Sequence, residues 1–333
     1  MQIGLHASHE QFAPSRLLAL ARAAQDAGFE AVLSSDHLAP WTERQGHSGF
    51  AWTWLGAVAA TTTLPLGVVS APGQRYHPAV LAQAVATVAE LAPGRLTVAL
   101  GSGQALNEHV TGTGWPTKAV RNARLRECAE VIRRLLAGET VDHEGLVRVR
   151  SARLWEVPRP EVPLFGAALT PATAAEVAAW ADGLITVYAP VDRLRPVLDA
   201  FREHGGAGKP VHVQVHLSWA PDDEQVRDQA LDQWRTGALP PLLSEELELP
   251  EQLDAAGAHV PAEALRHGVL MSTDLAWHAA RLAELAALGV DRVYLHQVGT
   301  GQEEFVEAFG NQVLPRLGAG GRAPAGGAAD AQS

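Results

Sequence analysis

The sequence predicts an α/β fold, a (β/α)₈ TIM barrel, and three observations carry that expectation. Short apolar or β-branched runs alternate with longer stretches of helical period, the pattern of repeated strand–helix units around a parallel sheet. Eight such runs occur, the number that closes a barrel. A composition of 47% hydrophobic and 19% charged over 333 residues supplies a large core.

The elements follow in order. A first strand is expected over 3–7, an apolar run, followed by a helical pattern over 15–27 that Gly28 closes. The second strand, 31–35, precedes a weaker helix near 52–61. The third, 66–70, is β-branched, and Pro78 opens a helix over 78–91 that Pro93 and Gly94 end. The fourth covers 96–101, and its helix over 121–136 stops at Gly138. Helix C-termini characteristically place glycine or proline at such stops. Strands five and six, 163–168 and 183–187, alternate with helices over 171–181 and 191–204. The seventh, 211–219, leads into a helix over 222–234, and the eighth, 292–298, lies between helices over 274–288 and 302–314. Two stretches break the repeat. The segment 139–160 is too short for another unit and reads as a hairpin. The segment 237–268, rich in Pro, Glu and Leu, reads as a lid over the barrel mouth. The expected organisation is one barrel over 1–317 and a disordered Gly/Ala-rich tail over 318–333, which has almost nothing to bury.

Lys plus Arg number 26 against 37 Asp plus Glu, a formal net charge of −11. Such a chain repels a nucleic-acid backbone unless it carries a dense basic patch, and the sequence has none. Its one cysteine, Cys128, can form neither an internal disulfide nor a thiolate cage, so a reducing, cytoplasmic setting is expected. No apolar run reaches the ~18 residues of a membrane span, and none is expected. Histidine is plentiful at 14, and His6, His37, His216 and His296 fall on or beside strands. That raises a metal-dependent barrel hydrolase as a rival. Spacing argues against it: there is no His-X-His pair, and residues four apart on one strand, like His212 and His216, stand roughly 13 Å apart. No metal site is expected.

Chemistry in such barrels sits in the loops after the strands' C-terminal ends. The first of these carries Glu10 beside His9. The second reads Asp36-His37, with Trp41 beyond. An Asp before a His either orients the imidazole as a general base or caps the next helix, and both readings stay open. Trp41 is an aromatic wall or core. The fourth strand runs into Gly101-Ser102-Gly103-Gln104-Ala105-Leu106-Asn107-Glu108. Gly101 and Gly103 let backbone approach a flat ligand, but Leu106 stands where a dinucleotide fingerprint needs its third glycine. Trp115, Lys118, Arg121, Arg124 and Arg126 make a local cationic cluster, either a phosphate partner or a solvated helix face. The fifth unit brings Gly166 and Ala167 to a helix with Thr170 as N-cap and Pro171 behind it, an N-terminus suited to a phosphate.

Five of these motifs, in this order, resemble the luciferase-like monooxygenase (LLM) class of flavin-dependent oxidoreductases. They are the stretch 7–14, Ser35-Asp36-His37 with Pro40-Trp41, Arg75-Tyr76-His77-Pro78-Ala79, the stretch 101–108, and Ala123-Arg124-Leu125-Arg126-Glu127. The similarity is strongest to the branch around deazaflavin-dependent glucose-6-phosphate dehydrogenases, and within it to an FMN-dependent subgroup. The resemblance implies a flavin-type ring across the strand ends, with FMN as the expected cofactor and coenzyme F-420, a deazaflavin, as the alternative. It implies His37 as base, with Glu10, Gln104 and Trp41 as further catalytic residues. Cofactor contacts are implied at Asp36, His37, Val68, Val69, Ser70, Gly101, Gly103, Asn107, Gly166, Ala167, Thr170 and Thr173, with a non-prolyl cis peptide near Val68 and Val69. The implied partners are a small organic substrate, a second copy of the chain in a homodimer and, for monooxygenation, a flavin reductase. Two departures qualify this. Gln104 stands where the branch has a proton-donating glutamate, and an amide is no general acid. Apolar Ala189-Pro190 stands where the branch holds a sugar phosphate with lysine. A deazaflavin-dependent dehydrogenase of a sugar or alcohol and a non-catalytic flavin binder are the alternatives.

Overall fold

The computed structural model describes residues 1–318. Among them are eleven strands: β1 (Gln2–Ala7), β2 (Ala31–Ser35), β3 (Leu66–Ser70), β4 (Leu96–Leu100), β5 (Val141–Glu144), β6 (Arg148–Ala152), β7 (Leu164–Ala167), β8 (Gly183–Val187), β9 (Val211–Ser218), β10 (Val269–Met271) and β11 (Arg292–Gln297). Eight of them close a parallel barrel in the order β11-β1-β2-β3-β4-β7-β8-β9, with β9 pairing back onto β11. These are the eight expected strands, each within one residue at either end. The hairpin read over 139–160 is β5 and β6, paired antiparallel. The tail expected from 318 lies, from 319 onward, outside the described residues.

The unforeseen strand is β10. The edge of β9 pairs with β8 only as far as Gln214, and β10 takes over at His216 to Ser218. Three residues are too few for a period-2 pattern to register.

The helices in chain order are α1 (Pro14–Asp26), α2 (Ala51–Thr61), α3 (Pro78–Leu91), α4 (Ala105–Glu108), α5 (Lys118–Leu136), α6 (Pro171–Ala178), α7 (Val191–Phe201), α8 (Asp223–Trp234), α9 (Pro241–Glu246), α10 (Pro250–Gly257), α11 (Ala262–Leu265), α12 (Leu275–Ala287) and α13 (Gln302–Gln312). The largest core lies between the strands and this outer helical layer, with Ile3, Leu5, Leu66, Val68, Val98 and Val293 facing the helices. None of the described helices is long and apolar enough to cross a membrane.

Because side chains alternate across each strand, the other set points into the barrel. Its apolar layer is Ala31, Leu33, Ala99, Phe165, Ile185 and Tyr294. Nearer the C-terminal ends the inward residues turn polar: His6, Ser35, Gln214 and His216. Tyr294 takes its place only because β1 and β3 give up a side chain there. A Cβ at Gly4 would stand 2.7 Å from its ring and 3.0 Å from the Ala31 carbonyl, and one at Gly67 would stand 3.1 Å from its hydroxyl. Gly4→Ala is therefore expected to cost about 1–3 kcal/mol by overpacking. The check is a lower urea midpoint with unchanged slope; an unchanged midpoint would refute the steric account.

Candidate active site

A cavity of about 870 Å³ opens at the C-terminal ends of the strands. Its floor is made of small groups, Val69, Ser70, Ala71, Gly101 and Ala167, and Gly103 lines the wall in a left-handed conformation at φ +79°. A Cβ at Gly103 would stand 3.0 Å from Glu108 Cγ and 3.4 Å from Ala71 Cβ, so both conformation and space favour glycine there.

Glu10 and His37 meet on one side. His37 Nδ1 lies 2.5 Å from Glu10 Oε1, and Ser8 Oγ donates to Glu10 Oε2 at 2.8 Å. Burial works to raise the Glu10 carboxyl, but the field of His37, its hydrogen bond and the field of His6 overcome it and hold the group at about 2. Trp41 stands edge-on to the His37 ring, centroids 5.2 Å apart. Both His37 and Trp41 line the cavity.

Asp36 does neither of the jobs open to it in the sequence. It is not an N-cap, since α2 begins at Ala51 behind Phe50, and its carboxylate turns away from His37. Oδ2 accepts from Trp52 Nε1 at 3.1 Å and Ser70 Oγ at 2.8 Å, and Oδ1 accepts from the Tyr76 hydroxyl at 3.0 Å. The Arg75 guanidinium lies 3.5 Å from Oδ1 and donates to the Asp36 carbonyl at 2.6 Å. The residue that orients His37 is Glu10, one barrel strand away. Asp36 staples the loops after β2 and β3 together. Asp36→Ala strands Arg75 and three hydrogen-bond donors, and is expected to cost about 3 kcal/mol or more. Chemical denaturation measures this, and a loss below about 1 kcal/mol would reject the role.

Gln104 and Asn107 share the next wall. Asn107 Nδ2 donates to Gln104 Oε1 at 3.3 Å, while Asn107 Oδ1 accepts from the Leu38 and Ala39 amides at 2.8 and 3.3 Å. Asn107 thus fixes the backbone that carries His37 to Trp41. Glu108, also on the cavity, is raised above the ordinary carboxyl range by burial despite its contacts with Arg75. At the far side Thr170 caps α6, its Oγ1 accepting from the Thr173 amide at 3.3 Å, and both threonines face the cavity.

Two expected cofactor residues face elsewhere. Val68 belongs to the core beneath the helices, because its neighbour Val69 is the one turned inward. Gly166 faces α6, where a Cβ would stand 2.5 Å from Val177 Cβ; its role is close strand–helix packing. The cis peptide expected near Val68 and Val69 is also absent among the described residues, where Arg159–Pro160 alone is cis. Val69 and Ser70 stay in regular register with Ala99 and Leu100. The cationic cluster divides: Arg126 lies on the exposed helix face, while Arg121 is fully buried and binds Glu245 and Glu246 of α9, and the half-exposed Lys118 binds Glu245.

Sequence reasoning passed over Gln214 and Trp234. Gln214 Nε2 lies 3.1 Å from His216 Nε2, and Trp234 packs on both His216 and His296 at 4.6 and 4.5 Å. Period-2 counting from His212 and His216 would have found Gln214. Trp234 closes a helix and carried no local signal. Among the described residues no group of three or more His, Cys, Asp or Glu side chains is arranged to hold a metal ion.

Comparison with known proteins meets this geometry. The family described as Luciferase-like monooxygenase matches residues 1–303. The chain belongs to the luciferase-like monooxygenase family. It is 36% identical to the F420-dependent glucose-6-phosphate dehydrogenase of Beutenbergia cavernae, over 95% of this chain and 97% of that protein. The protein of the same name from Mycobacterium tuberculosis strain H37Rv is 33% identical, over 95% of this chain and 98% of that protein. Among solved structures, an F420-dependent secondary alcohol dehydrogenase in complex with an F420-acetone adduct superposes with a TM-score of 0.88 at 26% identity, covering 95% of this chain and 98% of that one. The monooxygenase RslO1 from Streptomyces bottropensis, at 22% identity and a TM-score of 0.69 over 95% of this chain and 100% of that one, shares the fold. This luciferase-like barrel is an oxidoreductase.

Proposed function

We propose that this luciferase-like oxidoreductase binds a deazaflavin of the F420 type and oxidises or reduces a small organic substrate by hydride transfer, without oxygen. The observation that carries it is the Glu10–His37 pair on the wall of a cavity whose opposite side is a capped helix N-terminus. Relatives named F420-dependent, at 33–36% identity over 95% of the chain, favour the deazaflavin over FMN.

The cavity suits such a group. A floor of Val69, Ala71, Gly101 and Ala167 leaves room for a flat ring, and at the α6 N-terminus, where Pro171 has no N–H and Thr170 caps the Thr173 amide, the Ala172 amide and the positive end of the helix dipole face a phosphate. When bound, the ring supplies the hydride acceptor or donor, chemistry no side chain offers. The protein handles the proton. Glu10 holds Nδ1 of His37 and so leaves Nε2 as the nitrogen for a substrate hydroxyl. Trp41, against the His37 ring, keeps water from that side. Gln104 offers an amide hydrogen bond only, which favours one rival reading, a flavin binder without turnover.

Titration of the purified protein with F420 and with FMN tests the cofactor, with F420 expected to bind at least about tenfold tighter. Failure of both to bind would refute the proposal. Tighter FMN binding would replace deazaflavin by FMN, and oxygen consumption with reduced FMN would then identify a monooxygenase.

A further inference from the structure

Six carboxylates line the cavity among the described residues, Glu10, Asp36, Glu108, Glu176, Glu245 and Glu246, against two cations, Lys118 and Arg121. Neither cation is free. Lys118 Nζ donates to both oxygens of Glu245 at 3.1 and 3.0 Å. Arg121 donates to Glu245 Oε2 at 2.7 Å, to Glu246 Oε1 at 3.0 Å and to the Pro116 carbonyl at 2.8 Å, and its guanidinium lies 4.3 Å over the Trp115 ring. Arg75, behind the wall, is held by Asp36 and Glu108. Both carboxylates that engage Lys118 and Arg121 come from α9, in the segment that covers the mouth. The lid therefore brings its own anions to the two Lys and Arg side chains that line the cavity among the described residues.

A phosphate dianion in this cavity gains no unpaired cation and meets carboxylates whose repulsion solvent at the part-exposed lid screens only in part. The one place that favours an anion, the α6 N-terminus, is taken by the cofactor in the proposed function, on which this step rests. The lid's remaining contribution is uncharged and largely apolar, Leu239, Pro241 and Leu242 with Ser244, beside Trp41 and Trp234.

We infer that the substrate is an uncharged alcohol or ketone, and that Glu245 and Glu246 set this selectivity by quenching Lys118 and Arg121. In the oxidising direction the carbinol C–H bond breaks, its hydrogen leaving with both electrons to the oxidised deazaflavin. The hydroxyl proton goes to His37, and the C–O bond becomes a carbonyl. The alcohol loses the two electrons that the deazaflavin gains.

The test is kcat/KM of the F420-loaded protein for 2-propanol, cyclohexanol, glucose and glucose 6-phosphate, followed by deazaflavin absorbance. At least one uncharged compound is expected to exceed glucose 6-phosphate by about 100-fold. Equal or better use of glucose 6-phosphate, or no reaction with any uncharged compound while F420 is bound, overturns the inference. Glu245→Gln with Glu246→Gln frees both cations and is expected to shift the ratio toward glucose 6-phosphate by about tenfold. That ratio does not depend on how much of the variant folds. A change confined to F420 affinity, with the ratio unmoved, overturns the role of the lid pair. Failure of the cofactor reading is seen separately, as absence of F420 binding before substrate is added.

Discussion

His37→Ala is expected to lower kcat about 10²–10⁴-fold, the range for loss of a positioned general base, with F420 affinity nearly unchanged. The ring stands on the cavity wall with one nitrogen committed to Glu10 at 2.5 Å, so the other is the base available to a bound hydroxyl. Glu10→Gln keeps the shape but removes the charge, and should lose part of that factor while leaving KM for the alcohol close to wild type. The split matters: a merely structural role for Glu10 would lower the folded fraction, not kcat per folded molecule. Single-turnover reduction of F420 by an alcohol measures it directly. An undiminished rate in His37→Ala would remove the base from the mechanism and favour the flavin binder without turnover.

The barrel was legible because eight strands repeat one local pattern, and each repeat is readable within about ten residues. The site was less so, for reasons visible in single residues. Asp36 and His37 are adjacent in sequence, yet successive side chains on extended backbone point to opposite sides, so adjacency argued for the wrong partner. The partner of His37 is Glu10, from the preceding strand's loop, a contact without local signal. The same parity misplaced Val68 and Gly166: with Val69 and Ala167 turned inward, their neighbours had to face the helices. The lid pairs lay further out of reach, since Arg121 and Glu246 are joined only when 237–268 folds back over the mouth.

A second large effect is expected from acid. Stability should fall steeply as pH drops below about 6.5, well before carboxylates titrate. Six histidines carry it. Burial is the first cause in each, and it lowers His6, His9 and His278 to about 4, His212 and His216 to about 3 and His296 well below the ordinary value of 6.5. Their surroundings are fixed. His296 Nε2 donates to Gln11 Oε1 at 2.8 Å, because the Gln11 amide already donates to Val298 and Gln233, and the His6 and His296 rings lie 4.6 Å apart. The folded protein keeps these rings neutral where the unfolded chain binds protons. Unfolding therefore takes up protons between about 6.5 and 4, and stability is lost as pH falls through that window. Each ring contributes about 1.4 kcal/mol per pH unit there. Several acting together reach the whole stability of a typical domain, about 5–15 kcal/mol, within one or two units. Glu10 acts later: its stabilisation is complete above its ordinary value of 4.5 and is lost as pH falls toward about 2. Denaturation at pH 7, 6 and 5 should thus show a rising loss per unit, and His212→Phe should reduce that slope by about one proton's worth. His212 is the clean choice, since it packs between Phe165 and Tyr294 at 4.6 and 5.7 Å. Assigned ring resonances of these six histidines that titrate near 6.5 in the folded protein would refute this, because they would place the protons on both states alike.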